Sequence, residues 1–498
     1  MTLPIRFEGF SRYPRAVLWI AVGLLAGCAG PSQFRRDVNQ RRNAAAARQP
    51  VFEANRDGMP GVTAPLTLQD AERIALKNNR SLQAVRRELE IAEGRALQAR
   101  TVAWPHVTAT ANYTRLDDPP RMALGAQTVP VGFEDNWTLQ LGVRQPIFHG
   151  GAIPAALRTA TLQTLRSEER VRETAQAVLF QTRQRYYDAL LAQTLLDVTA
   201  ESLRLAEILL QDAQRKRAMG VATEYDVLRA EVEVSNARVE WLQQKNRWDA
   251  AMTHLCRTLG VSPLQEIQLA DEFRYEPRTV ELDAAFRAAL QQRPEILSAE
   301  YALQIQQEAL RMARSAYWPQ LDAFFVQRWA NPDPHQATRD EWADAWSAGL
   351  SLNYPLFDGW ARAGNILQER ARWEQARTRL AEVEETVIAE VRQAVLNLRH
   401  AAAWVDATRL NLQRAEEGFR LVLGGYRQGT KTQLDVLDAQ TALTRTQALF
   451  HQALHAHALA SAQLDLVTGI IGEPADRMPA PVPEAPENRI EPKNEALR

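Results

Sequence analysis

Gly220-Val-Ala-Thr-Glu-Tyr-Asp226-Val-Leu-Arg-Ala230 returns as Gly429-Thr-Lys-Thr-Gln-Leu-Asp435-Val-Leu-Asp-Ala439, 209 residues later. The same spacing carries Gln145-Pro-Ile-Phe-His-Gly150 onto Tyr354-Pro-Leu-Phe-Asp-Gly359. Trp104-Pro105 recurs as Trp318-Pro319 at a spacing of 214. A unit of about 200 residues is too long for a solenoid repeat, which runs to a few tens of residues. The chain therefore reads as a duplication, and what one half builds the other half builds again. The expected divisions are a leader at 1–27, a tether at 28–65, a first repeat at 66–260, a connector at 261–280, a second repeat at 281–472 and a Pro-rich tail at 473–498.

Each copy reads helix, strand, loop, strand, very long helix, tight turn, long helix. The first helices span about Leu68 to Ala103 and Leu282 to Tyr317. Trp-Pro ends both, because proline disfavours helical backbone in the residue before it. Asn136 to Gln145 then alternates, with Trp137, Leu139, Leu141 and Val143 on one face and Thr138, Gln140, Gly142 and Arg144 on the other. Its copy runs from Trp346 to Tyr354. The partner strands are His106 to Arg115 and Gln320 to Trp329, and the stretches at 116–135 and 330–345 read as loops. Ten-residue strands with aromatic ends and one polar face fit a transmembrane β-barrel. They also fit an ordinary half-buried antiparallel sheet. Four strands cannot close a barrel, and open edges in lipid cost several kcal/mol per unpaired group, so membrane strands of this kind require several chains.

Ile153 to Met219 and Ala361 to Gln428 hold no proline apart from Pro154 in the first turn. Each predicts a helix roughly 100 Å long. Ala189, Ala192, Leu196, Thr199, Leu203, Ala206, Leu210 and Ala213 step by three and four, and Leu398 to Val422 repeat the pattern. The returning helices continue it through Val227, Ala230, Val234, Ala237 and Trp241, and through Val436, Ala439, Leu443, Thr446 and Phe450. A period of 3.5 predicts a supercoiled seam.

Over the 498 residues, 59 Lys and Arg balance 60 Asp and Glu. That balance gives no electrostatic footprint for nucleic acid. Arg6, Arg12 and Arg15 precede an apolar run from Ala16 to Leu25, followed by Ala26-Gly27-Cys28. This is a secretory leader, too short to span a bilayer. Leu-Ala-Gly-Cys resembles a bacterial lipoprotein signal, which implies a lipidated Cys28; a plain signal peptide is the alternative. With Cys256 as the other cysteine, no disulfide framework can be drawn. The sequence contains no P-loop, zinc-protease motif, nucleophile elbow or paired cysteines, so neither an enzyme nor a cofactor is expected. His451, His455 and His457 match Leu242, Asn246 and Trp248 in the first copy, which reads as packing rather than metal binding.

The doubled strand-pair and long-hairpin units, Pro-Leu/Ile-Phe-x-Gly after the second strand, and Gly-x-x-Thr-x-x-Asp-Val-Leu at the turn together resemble the TolC-type outer-membrane factor family over about residues 66–472. The leader is similar to that of the family's lipid-anchored branch. The resemblance implies a mainly α protein with membrane β structure: a homotrimer whose chains give four strands each to one twelve-stranded outer-membrane barrel. A periplasmic α-helical coiled-coil barrel continues it, with an equatorial belt from the short helices and residues 261–280. It also implies a passive exit duct for a tripartite efflux or type I secretion system, docked on a periplasmic adaptor and, through it, on an inner-membrane pump. The alternative is a lipid-anchored periplasmic coiled-coil spacer or adaptor that forms no pore.

The turns hold the candidate site. Thr223 with Asp226, and Thr432 with Asp435, read as capping boxes opening the returning helices. Gly220 and Gly429 read as the left-handed residues that end the preceding ones. The resemblance implies that Asp435 and Asp438 face the lumen as a gate and selectivity ring. It further implies that Asp226, Tyr426 and Lys431 form an interhelical lock, and that Gly220, Thr223, Gly429 and Thr432 meet the adaptor. Arg229 stands in the first copy where Asp438 stands in the second.

Overall fold

The computed structural model describes residues 65–119, 121–124, 127–130, 132–263, 267–336 and 339–472, together with 36 and 38–43, which are helical. Cys28, most of the expected tether and the Pro-rich tail lie outside the described residues. The chain divides into two units, Met1–Pro65 with Leu264–Ile267 and Leu66–Pro263 with Gln268–Arg498. The description below is of the second.

The first half runs α1 (Leu68–Asn78), α2 (Arg80–Thr101), β1 (His106–Arg115), β2 (Arg121–Leu124), β3 (Gln127–Pro130), β4 (Asp135–His149), α3 (Ala152–Ala218) and α4 (Glu224–Leu259). The second runs α5 (Leu282–Gln292), α6 (Pro294–Ser315), β5 (Gln320–Asn331), β6 (Ala343–Asn353), α7 (Ala361–Arg427) and α8 (Gln433–Val467). Both long helices, α3 and α7, have 67 residues.

Two expectations are corrected. The single first helix of each copy is two helices. Asn79 leaves helical geometry with ψ 123°, and its side chain caps α2 by accepting from the amides of Ser81 and Leu82. Arg293 likewise leaves helical geometry, with ψ 126°, but makes no side-chain cap and stands ahead of Pro294 in the first turn of α6. A capping Asn and a first-turn Pro are both start signals, overridden in the sequence reading by the uninterrupted apolar period. The stretch 116–135 is also not wholly loop, since β2 and β3 pair as an antiparallel ribbon.

The break in each copy is where the other end of the hairpin docks. Gly260, left-handed at φ 71°, ends α4 against Asn78, whose carbonyl oxygen would lie 2.8 Å from an added Cβ. Gly469, at φ 76°, sits the same way against Gln292, with its carbonyl carbon 3.0 Å from an added Cβ. The pairing recurs although the two halves share few side chains there.

The main sheet has the order β1-β4-β5-β6, all antiparallel, which joins the two halves through β4 and β5 and leaves β1 and β6 as edges. Register sorts its faces. Val107, Tyr113, Trp137, Leu139, Leu141, Phe325, Trp329, Trp346, Leu350 and Leu352 share one face. Thr108, Thr110, Asn112, Thr138, Gln140, Ser347 and Ser351 share the other. Large side chains on the apolar face are solvent-exposed in the single chain, Leu350 and Leu352 by 66% and 67%. A water-facing sheet would not place its apolar residues there.

Below the sheet the helices form one layer. α3 packs against α2 and α6 in its first half and against α4 and α8 in its second, while α7 packs against α6 and then α8. Every residue of the 3.5-period seam is buried or half-buried. One core cluster joins Ala285, Ala289 and Ile296 to Val391, Ala394, Val395 and Leu398 of α7. Near the middle, a parallel bridge between Leu66 and Leu269 is tied to α3 by the Tyr186 hydroxyl, 2.8 Å from both the Leu66 carbonyl and Asp271 Oδ2. Arg183 of α3 pairs with Glu72 and Asp465, and Arg278 also reaches Asp465. No helix among the described residues is long and apolar enough to cross a membrane.

Candidate functional site

The far ends of the two hairpins carry the candidate residues. α3 ends through Gly220, at φ 73°, whose turn is closed by the amides of Val221 and Ala222 donating to the Lys216 carbonyl. α7 ends the same way through Gly429, at φ 76°, with the amides of Thr430 and Lys431 donating to the Gly425 carbonyl. Positive φ suits glycine because it lacks a Cβ.

Both returning helices open with a complete capping box. The Thr223 hydroxyl accepts from the Asp226 amide, while Asp226 Oδ2 accepts from the Thr223 amide at 2.8 Å and hydroxyl at 2.7 Å. Thr432 and Asp435 repeat this, with both contacts at 2.8 Å. The hydrogen bonds from Thr223 hold the Asp226 carboxyl below the usual carboxylate range, and those from Thr432 do the same for Asp435. Both stay charged at neutral pH, at the positive end of a helix. Asp438 is exposed, one turn further along α8.

The expected lock set is not brought together within the chain. Asp226 is committed to its capping box. The Lys431 side chain folds against its own turn, so that a Cβ on Gly425 would lie 2.6 Å from its Cγ. Tyr426 instead crosses from α7 to α3, where its hydroxyl donates to Asp212 Oδ2 at 2.6 Å and accepts from Lys216 Nζ at 2.8 Å. Lys216 closes the triangle on Asp212 at 3.0 Å and lies 4.0 Å from the Tyr426 ring centre. The Tyr426 hydrogen bond, then Lys216, lower the Asp212 pKa despite partial burial. Burial and the Asp212 charge raise that of Tyr426.

Asp212 and Lys216 were missed by the sequence reading. A signal was present: an i,i+4 acid–base pair whose copies 209 residues on are Leu421 and Gly425, so the pair has no duplicate. The two turns also differ in surface. Met219, Val221 and Tyr225 at the first are at least 70% exposed, whereas their equivalents at the second are Gln428, Thr430 and the less exposed Leu434.

The three α8 histidines do not converge. His455 Nε2 lies 2.9 Å from Asp188 Oδ1, His457 meets the Tyr275 ring edge-on, and burial pushes both His451 and His457 toward the neutral form. Among the described residues no cluster of three or more His, Cys, Asp or Glu side chains is placed to hold a metal ion.

Comparison with known proteins gives concordant findings. A family model described as "Outer membrane efflux protein" matches residues 71–261 and 285–470. The alkaline protease secretion protein AprF of Pseudomonas aeruginosa is 24% identical over 413 residues, 82% of this chain and 85% of its own length. The probable efflux pump outer membrane protein TtgC of Pseudomonas putida is 24% identical over 387 residues, 76% of this chain and 78% of its own. Among solved structures, the outer membrane protein VceC of Vibrio cholerae superimposes with a TM-score of 0.69 at 19% identity, covering 81% of this chain and 96% of that one.

Proposed function

This chain belongs to the outer membrane efflux protein family, and we propose that it is the outer-membrane exit duct of a tripartite efflux or type I secretion system. The observation that carries this is the four-stranded sheet, with one apolar face exposed and its β1 and β6 edges unpaired, set on two hairpins that each pair a 67-residue helix with a returning helix of 36 or 35 residues. A lipid-facing sheet must close to satisfy its edge groups. Joining β6 of one copy to β1 of the next in three copies gives twelve strands, an even number within the range of outer-membrane barrels. The polar face then lines a lumen. The small residues on both flanks of the long helices suit lateral packing against the helices of neighbouring copies.

In this reading the hairpin turns form the periplasmic end. Three copies of Asp435 and Asp438 bring six carboxylates to one constriction, which favours cations. The turns around Gly220, Thr223, Gly429 and Thr432 meet the adaptor, and the exposed Met219, Val221 and Tyr225 supply apolar contact at the first. Energy comes from the inner-membrane pump, and the chain supplies a path.

The test is to purify the protein in mild detergent, measure its mass by light scattering, and record conductance in a planar bilayer. The expected result is a trimer that conducts. A monomer without conductance overturns the duct in favour of the spacer.

A further inference from the structure

We propose that the luminal wall of the barrel carries a cationic girdle, formed by Arg144 and Arg328, that binds anionic groups of cargo and makes this segment of the duct anion-preferring. The inference rests on the closed-barrel reading above and adds a charge-selective site at the end opposite the hairpin turns.

The register decides which charges share the wall. Arg144 stands opposite Phe324, and Arg328 opposite Gln140, all on the polar face. The two arginines are therefore about four residues apart along the sheet, roughly 13 Å. Asp322 is the one carboxylate on that face among the described residues, since Asp135 and Asp344 fall in register with Arg115 and Trp329 on the apolar face. Its side chain is only 7% exposed, and both oxygens are engaged: Oδ2 accepts from Arg144 at 2.7 Å, and Oδ1 lies 3.0 Å from His149 Nε2. Asp322 therefore positions Arg144 while presenting little negative surface. Arg144 itself remains 68% exposed beyond the pair.

Arg328 is exposed, makes no ion pair among the described residues, and is flanked across the sheet by the neutral Gln140 and Ala345. With histidines neutral, the face carries one net positive charge per chain. Three chains set six guanidiniums around one lumen. Arg144 also borders a recess of about 640 Å³ with His106, Thr108, Gln140, Asp322 and Phe324. A guanidinium fork pairs with carboxylate and phosphate oxygens through two parallel hydrogen bonds. A narrow channel lined by one sign of charge concentrates the opposite ion.

The experiment measures reversal potentials of the purified trimer in a KCl gradient. It uses Asp438→Asn as the parent, which leaves three of the six carboxylates at the other end and so lessens their masking of the barrel. The chloride-to-potassium permeability ratio should exceed one in the parent and fall at least about twofold with R144Q and R328Q together. Hexaglutamate added on the barrel side should block the parent and not the double variant, while hexalysine should block neither. R328Q alone, whose side chain holds no ion pair, should give an intermediate ratio and serves where loss of Arg144 weakens assembly. Conduction by R328Q or the double variant with an unchanged ratio overturns the girdle and leaves the duct standing. A parent trimer that does not conduct overturns the duct, and the girdle with it.

Discussion

The two hairpin turns share a backbone and the apolar residues that follow it, and differ in the charged residues around it. Each has a left-handed glycine, a two-amide closure and a capping box, placed 209 residues apart. Beyond that frame the first hairpin holds Asp212, Lys216 and Arg229, where the second holds Leu421, Gly425 and Asp438. Duplication kept what the chain needs in order to reverse direction. What differs is charge, and the charge is placed so that one hairpin clasps the other: Tyr426 of the second closes on Asp212 and Lys216 of the first. Pseudo-symmetry thus supports an asymmetric contact, which two identical hairpins would not supply.

The sharpest way to break the likeness of the copies lies at the strand–helix junctions. Gly150 and Gly359 are equivalent, with φ of 59° and 64°. An added Cβ at Gly150 would lie 2.5 Å from the Ser315 carbonyl oxygen and 2.7 Å from Trp318 Cβ, whereas at Gly359 it meets nothing. Gly359→Ala should cost only the left-handed backbone, about 1 kcal/mol. Gly150→Ala adds a backbone clash and should cost about 3 kcal/mol or more. Thermal melting of the purified protein should separate the two by many degrees, and equal melting points would mean the junctions are packed alike.

Next in size is the clasp. Tyr426→Phe removes the hydrogen bond to Asp212 and should cost about 1 kcal/mol per chain, while raising the open fraction in bilayer recordings. Its pH dependence has a defined sign. A depressed folded-state carboxylate pKa contributes stability that is present above the ordinary carboxylate range and is lost as pH falls through the depressed value. The native clasp should therefore hold at pH 5 and loosen only in stronger acid. Tyr426→Phe takes away the largest cause of the depression, so opening should begin at higher pH. Identical acid profiles for the two proteins would remove Tyr426 from the clasp.

Smaller still is the effect of the caps. Thr223→Ala and Thr432→Ala each break a capping box of the same geometry and should each cost about 1 kcal/mol. Their agreement within a few tenths, read by melting temperature, tests whether the turns are structurally equivalent. A clear inequality would show that one turn is held by contacts outside the chain.

Much of this was legible in the sequence because it depends on local backbone rules. The long helices are continuous because proline is missing beyond the first turn, and the turns declare themselves through Gly, Thr and Asp at fixed offsets. β1, β4 and their faces follow from strict alternation from Val107 to Tyr113 and from Trp137 to Val143. The breaks at Asn79 and Arg293 were hidden because the apolar period runs straight through them; the Asn79 cap and Pro294 mark them locally, and the docking of Gly260 and Gly469 is what the sequence does not reveal. The clasp was hidden for a different reason. Asp212 and Tyr426 are 214 residues apart, and helical periodicity places each on its own helix without setting one helix beside the other.

The smallest structural effect belongs to the residue with the most direct functional reading. Asp438 is exposed, and Arg229 occupies the equivalent place in the first hairpin. Asp438→Asn keeps the side chain's size, so trimer formation and melting temperature should hardly change. If the carboxylates of Asp435 and Asp438 line the narrow end of the duct, removing three of six charges should lower potassium-over-chloride preference in a KCl gradient. Arg229→Gln is the matched control. It deletes a positive charge from the same level of the other hairpin, and should leave the preference unchanged or raise it. Asp435→Asn is less informative, since Asp435 also holds the Thr432 turn and its loss mixes charge with local geometry. If Asp438→Asn conducts with unaltered selectivity while Arg229→Gln shifts it, the charge that matters lies on the first hairpin. The difference between the two turns would then have to be read the other way round.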